Sequence, residues 1–107
     1  MSTNEPLENP STMIKSFIGW LELEAKAIHE CTNNLDEEQI EKALFLIQAC
    51  DKDKGKIIFT GVGKSGIVAR KIAATFSSLG LTSIYLCPLD ALHGDIGVVS
   101  PVDICFL

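Results

Sequence analysis

The sequence predicts an α/β fold in which two helices precede a strand-helix-strand unit and a third strand, with the strands parallel. Three observations predict it. Apolar residues recur at helical spacing through two segments ahead of residue 52. An apolar run, Ile57-Ile58-Phe59-Thr60, then enters the glycine-rich turn Gly61-Val62-Gly63-Lys64-Ser65-Gly66 and leaves as a helix. A second short apolar run, Ser83-Ile84-Tyr85-Leu86-Cys87, follows that helix. Strand, helix, strand in this order implies parallel pairing with a right-handed connection.

The elements follow in order. Residues 1–10, with Asn4, Glu5, Pro6, Asn9 and Pro10, carry too little apolar surface to offset the entropy of ordering, which predicts a loose tail. From Ser11, the residues Ile14, Phe17, Ile18, Leu21, Ala25 and Ile28 fall on one helix face. This predicts a helix of about five turns ending near Asn33-Asn34. Asp36 and Gln39 have the spacing of a capping box, and Ile40, Ala43, Leu44, Ile47 and Cys50 repeat the helical period, so a second helix is predicted to about Cys50. The mixed-charge turn Asp51-Lys52-Asp53-Lys54-Gly55-Lys56 precedes the first strand. It sits at the wrong end of that strand for a ligand, because open α/β sheets bind ligands outside the carboxyl ends of their strands. Its lysines are therefore read as solvated surface.

The helix predicted to begin near Ser65 carries Val68, Ile72, Phe76 and Leu79 on one face and stops at Gly80, a natural residue for a helix end. Pro88 ends the second strand. Residues 89–97, containing His93-Gly94-Asp95, are too polar and glycine-rich for core and predict a loop or short helix near the site. Residues 102–107 predict a third strand, central in the sheet, with no turn or polar cap after it. Such an ending is unusual for a finished domain, so residues 11–107 read as an incomplete domain, the N-terminal part of a longer one.

Bulk properties exclude several function classes. With 107 residues the chain holds one domain at most. A net charge of −5 and the lack of a basic stripe argue against nucleic acid. No stretch approaches the ~20 apolar residues of a membrane span, and the N-terminus lacks signal-peptide layout, which predicts a cytoplasmic protein. Cys31, Cys50, Cys87 and Cys105 are scattered without a Cys-x-x-Cys pair and read as ordinary thiols, with Cys87 open to a further role.

The glycine turn is the chemical centre. Unpaired N–H groups at a helix N-terminus, together with the helix dipole, suit an anion, and Lys64 adds a full charge. Gly61, Gly63 and Gly66 allow close backbone approach. Three phosphate ligands compete. A nucleotide P-loop needs Gly-x-x-x-x-Gly-Lys-Ser/Thr, but Ile58 stands where the first glycine belongs. The dinucleotide pattern Gly-x-Gly-x-x-Gly is present, yet the acidic residue expected after the second strand is replaced by Cys87-Pro88. The third ligand is a sugar phosphate.

Three ordered motifs support that third reading. The loop itself, Ala69-Arg70-Lys71-Ile72-Ala73-Ala74-Thr75-Phe76-Ser77-Ser78-Leu79-Gly80, and Leu92-His93-Gly94-Asp95-Ile96-Gly97 closely resemble the sugar isomerase (SIS) domain family, and within it the arabinose 5-phosphate isomerases. The resemblance covers residues 56–107 well and the two N-terminal helices loosely. It implies a SIS-type parallel sheet flanked by helices, a tetramer, and paired CBS domains often following. It also implies an aldose-ketose isomerase that interconverts ribulose 5-phosphate and arabinose 5-phosphate for the octulosonate sugar of lipopolysaccharide. The partner so implied is a phosphorylated pentose, with no required cofactor; a non-catalytic, phosphosugar-binding regulatory module is the alternative.

By position, the resemblance makes Lys64 a lysine implicated in catalysis. Gly61, Gly63, Ser65 and Gly66 become the substrate-binding loop, and Gly80, Leu81 and His93 substrate contacts. Cys87 takes the place of a zinc-binding histidine; a thiolate can also ligate zinc, so zinc is a candidate beside an ordinary structural thiol. Isomerisation moves a proton between adjacent carbons and needs a base plus an electrophile for the charge growing on oxygen. Lys64 or His93 suits the second role, although Lys64 serves equally to neutralise the phosphate. His29 reads as surface. The family's Ser-x-Ser-Gly-Glu-type loop, its glutamate and its later histidine have no counterpart in these residues. The 107-residue chain is therefore expected to be inactive alone, with its terminal carboxylate close enough to repel a phosphate.

Overall fold

The computed structural model describes residues 9–107; of the tail expected at residues 1–10, residues 1–8 lie outside the described residues. By its contacts the chain divides into two compact units, the first ending at Glu37 and the second running Glu38–Leu107.

The first helix, α1, spans Pro10–Asn33 and starts earlier than the sequence suggests. Pro10 occupies the first helical position, where its missing N–H is no loss, and the Asn9 side chain caps the end by accepting from the Ser11 N–H at 2.8 Å. Asn9 and Pro10 thus belong to the helix start and not to a tail. No residue of α1 is buried, and its apolar face at Ile14, Phe17, Ile18 and Leu21 is exposed. Helical periodicity identified the element but not what its apolar face meets. No helix among the described residues is long and apolar enough to cross a membrane.

In the second unit, α2 (Glu37–Lys52) begins directly after Asp36 and buries Cys50 near its end, where burial pushes the thiol pKa up. Three short strands follow: β1 (Ile57–Phe59), β2 (Ser83–Tyr85) and β3 (Ile104–Phe106). They form a parallel sheet in the order β2-β1-β3, with Phe59 level with both Tyr85 and Phe106. The α/β expectation holds. Among the described strands, however, β1 takes the middle place and β3 an edge. All three residues of β1 are buried, as an unbroken apolar run in a parallel strand requires.

Between β1 and β2 runs α3 (Lys64–Ser78), whose contact face keeps Ile72 and Phe76 of the expected stripe but not Val68 and Leu79. Gly66, Ala69 and Ala73 are buried, while Val68 and Leu79 are 56% and 73% exposed. Small residues let the helix approach the sheet closely, and Ile72 and Phe76 flank that seam. Residues 88–98 form α4 (Pro88–Leu92) and a short 3-10 helix (Asp95–Val98), which resolves the expected loop or short helix into two turns of structure.

The turn before β1 is tied to the segment before β3 by Asp103. Its Oδ1 accepts from the Lys56 N–H at 2.8 Å, and its Oδ2 accepts from Lys56 Nζ at 2.7 Å and from the Ser100 N–H at 2.8 Å. Lys56 is therefore not solvated surface: its side chain is 24% exposed and its charge is paired with a carboxylate that has no accessible surface. The Lys56 backbone N–H, then the Lys56 ammonium, hold the Asp103 carboxyl well below the usual carboxylate range. A depressed folded-state pKa contributes stability that is complete above the unfolded value of roughly 4 and is lost as pH falls below it. Urea unfolding between pH 3 and 7 is expected to show Asp103→Asn less stable at pH 7 and flatter in its pH dependence than the parent chain.

Candidate functional site

At the end of β1 the chain turns through residues 60–63 and re-enters helix at Lys64. Gly63 caps α3 with φ +63° and ψ −128°, a conformation that a side chain disfavours, and no side chain caps the helix there. Its carbonyl accepts from the Gly66 and Ile67 N–H groups at 3.1 and 3.3 Å. Earlier in the turn, Gly61 and Gly66 touch: a Cβ on Gly66 would lie 2.7 Å from the Gly61 oxygen, and one on Gly61 would lie 2.8 Å from the Ser65 carbonyl carbon. The loop thus closes only with hydrogen at both positions. No acidic residue stands in the first turn of α3, so the positive end of the dipole is unopposed within the helix.

Lys64 and Ser65, both exposed, open onto a cavity of about 480 Å³ that Thr60, Val68 and Phe106 also line. Thr60 is fixed there, its Oγ1 donating to the Leu86 carbonyl at 2.6 Å and its N–H to the Phe106 carbonyl at 3.0 Å. A second cavity of about 380 Å³, almost wholly apolar, joins Gly61 and Val62 to Pro88, Ala91 and Ile96. The glycine loop therefore stands between a mostly apolar cavity, at which Lys64, Ser65 and Thr60 supply one cation and two hydroxyls beside Phe59, Ile72 and Leu107, and one almost wholly apolar. Its first cavity has the chemistry for a phosphate attached to a small organic body.

The structure brings together Gly61, Gly63, Lys64, Ser65 and Gly66 in one loop. His93 follows β2 as the C-cap of α4, exposed, on the same carboxyl edge of the sheet. Gly80 and Leu81 are not brought to the loop. They lie at the far end of α3, about 20 Å away for a helix of this length, and Leu81 packs against the core. Cys87 is half-buried at the N-cap of α4. Among the described residues no three His, Cys, Asp or Glu side chains gather closely enough to hold a metal ion. Sequence reasoning passed over Thr60; a hydroxyl at the carboxyl end of an otherwise apolar strand was the available signal.

No family model matches the chain. Individual relatives do. The arabinose 5-phosphate isomerase KpsF of Escherichia coli O6:H1 is 39% identical over 95 residues, covering 89% of this chain and 28% of that protein. The chain is a relative of the arabinose 5-phosphate isomerases. KdsD of Francisella tularensis, of the same description, is 36% identical over 91 residues and is likewise spanned over 28% of its length. Among solved structures, an E. coli CFT073 protein in complex with arabinose 5-phosphate superposes with a TM-score of 0.78 at 36% identity, covering 92% of this chain and 50% of that one. The SIS-type fold is thereby shown. This relative of the isomerases spans little more than a quarter of the curated proteins it matches.

Proposed function

We propose that the loop of residues 61–66 binds the phosphate of arabinose 5-phosphate, and that the whole protein interconverts arabinose 5-phosphate and ribulose 5-phosphate. The observation that carries this reading is the glycine loop at the carboxyl edge of a parallel sheet, uncapped by any side chain and presenting Lys64 and Ser65 to a cavity. The names of its relatives and the arabinose 5-phosphate complex of one structural neighbour support the choice of sugar.

In this reading the first N–H groups of α3 and the Ser65 hydroxyl orient the phosphate, and Lys64 supplies positive charge. An aldose-ketose isomerisation transfers a proton from one carbon to its neighbour through an enediol, so a cation near the sugar oxygen lowers the barrier. Lys64 either does this or neutralises the phosphate, and His93 on the same sheet edge is the second candidate electrophile. The alternative reading is a non-catalytic, phosphosugar-binding regulatory module, which uses the same loop to bind without turnover.

Calorimetric titration of the 107-residue chain with arabinose 5-phosphate and with unphosphorylated arabinose tests this. Saturable binding of the phosphate ester with none of the free sugar is expected. Equal responses, or none at millimolar ester, would remove the reading.

A further inference from the structure

We propose that Tyr85 is a positioning residue for the glycine loop: its hydroxyl holds the Gly61 carbonyl and so sets the curvature in which the loop meets an anion. The proposal rests on the reading of that loop as a phosphosugar site. It concerns a residue of β2 that contributes no group to the loop itself.

Strand register places Tyr85 beside Phe59, two residues before Gly61. Side chains alternate along a strand, so Tyr85 shares a face with Ser83 and projects on the same side as Phe59, toward α3, where its ring packs against the core. The ring ends under the loop. Tyr85 Oη donates to the Gly61 carbonyl at 3.3 Å. A Cβ on Gly66 would lie 3.0 Å from the same hydroxyl and 2.7 Å from the same carbonyl. The hydroxyl, the Gly61 oxygen and the Gly66 Cα therefore meet at one point, where the two arms of the loop cross.

Arg70 adds a second constraint. It lies one helical turn beyond Gly66, on the same face of α3, and its guanidinium sits 4.6 Å from the centroid of the Tyr85 ring. A cation over the ring face favours one orientation of that ring, and that orientation is the one aiming the hydroxyl at Gly61. Gly66 has no side chain because a methyl group would displace either the carbonyl or the hydroxyl. The strut and the glycine are two halves of one fit.

Tyr85→Phe keeps the ring, its packing and the arginine contact, and removes only the hydroxyl. In the 107-residue chain, amide hydrogen exchange at Gly66 and Ile67 is expected to quicken about 3- to 10-fold, the scale of one ordinary hydrogen bond, while Ile58 and Phe59 in β1 exchange as before. The Kd for arabinose 5-phosphate is expected to rise by a similar factor. Unchanged loop exchange, or equal quickening in β1 and the loop, overturns the proposal, since the second outcome marks general loosening. Binding by the parent chain with unaltered affinity in Tyr85→Phe overturns it alone. Absence of binding by the parent chain overturns the phosphosugar reading and the proposal's functional claim together.

Discussion

Phe59→Ala is expected to lower the stability of the second unit by roughly 3–5 kcal/mol, the usual cost of deleting a buried phenyl ring. Phe59 is 5% exposed on the middle strand and belongs to the core cluster with Ile57, Ala69 and Ala73. Its ring meets Phe76 edge-on at 5.3 Å and stacks on Phe106 at 5.0 Å, so one substitution removes the aromatic link between α3 and β3. Small domains are stable by only about 5–15 kcal/mol. For a chain of about 100 residues the loss corresponds to a fall in melting temperature of at least about 12 °C. Thermal unfolding of Phe59→Ala beside Phe59→Leu checks this, the leucine variant being expected to lose much less because it retains most of the volume. A small change in both would contradict the placement of Phe59 at the centre of the core.

Lys64→Met is expected to have the largest effect on ligand affinity and almost none on stability. Lys64 is exposed at the first position of α3, and surface changes of this kind usually stay within about 0.5 kcal/mol. A charged hydrogen bond to phosphate contributes about 1.5–3 kcal/mol, which is roughly a 10- to 150-fold rise in Kd for arabinose 5-phosphate. The substitution also separates the two roles open to Lys64. If the ammonium neutralises the phosphate, affinity for inorganic phosphate falls in parallel with affinity for the sugar ester. Little change in ground-state affinity with a fall in turnover by the whole protein would contradict this expectation and assign the ammonium to charge on the sugar oxygen instead.

Much of this fold was legible because its signals are local. Helical periodicity marked α1 and α2, and the glycine turn after an apolar run marked β1, the loop and α3. What escaped the sequence is what neighbours decide. The large residues Val68 and Leu79 satisfied a helical stripe, yet the sheet contact went to Gly66, Ala69 and Ala73, because a short strand beside a helix rewards close approach over bulk. Lys56 looked like one more charge in a polar turn; its partner Asp103 is 47 residues away, and no local pattern announces such a pair. Tyr85 read as an ordinary strand residue, because only the register with β1 shows that its hydroxyl reaches the loop.

The candidate site divides along the same line. The glycines, Lys64 and Ser65 are contiguous, so sequence alone could place them together. Gly80 and Leu81 were assigned by resemblance, and the length of α3 keeps them away from the loop within this chain. Cys87 likewise had a role by position only, and among the described residues no group of three candidate metal ligands forms.

Residue-resolved amide spectra recorded during titration with arabinose 5-phosphate test the central claim most directly, since they report where the ligand sits as well as whether it binds. The expected result is saturable movement of the Gly63, Lys64, Ser65 and Gly66 signals at the start of α3, with the α1 signals unmoved and no response to free arabinose. Saturable shifts elsewhere with residues 61–66 silent, or no shift at millimolar ligand, would contradict it.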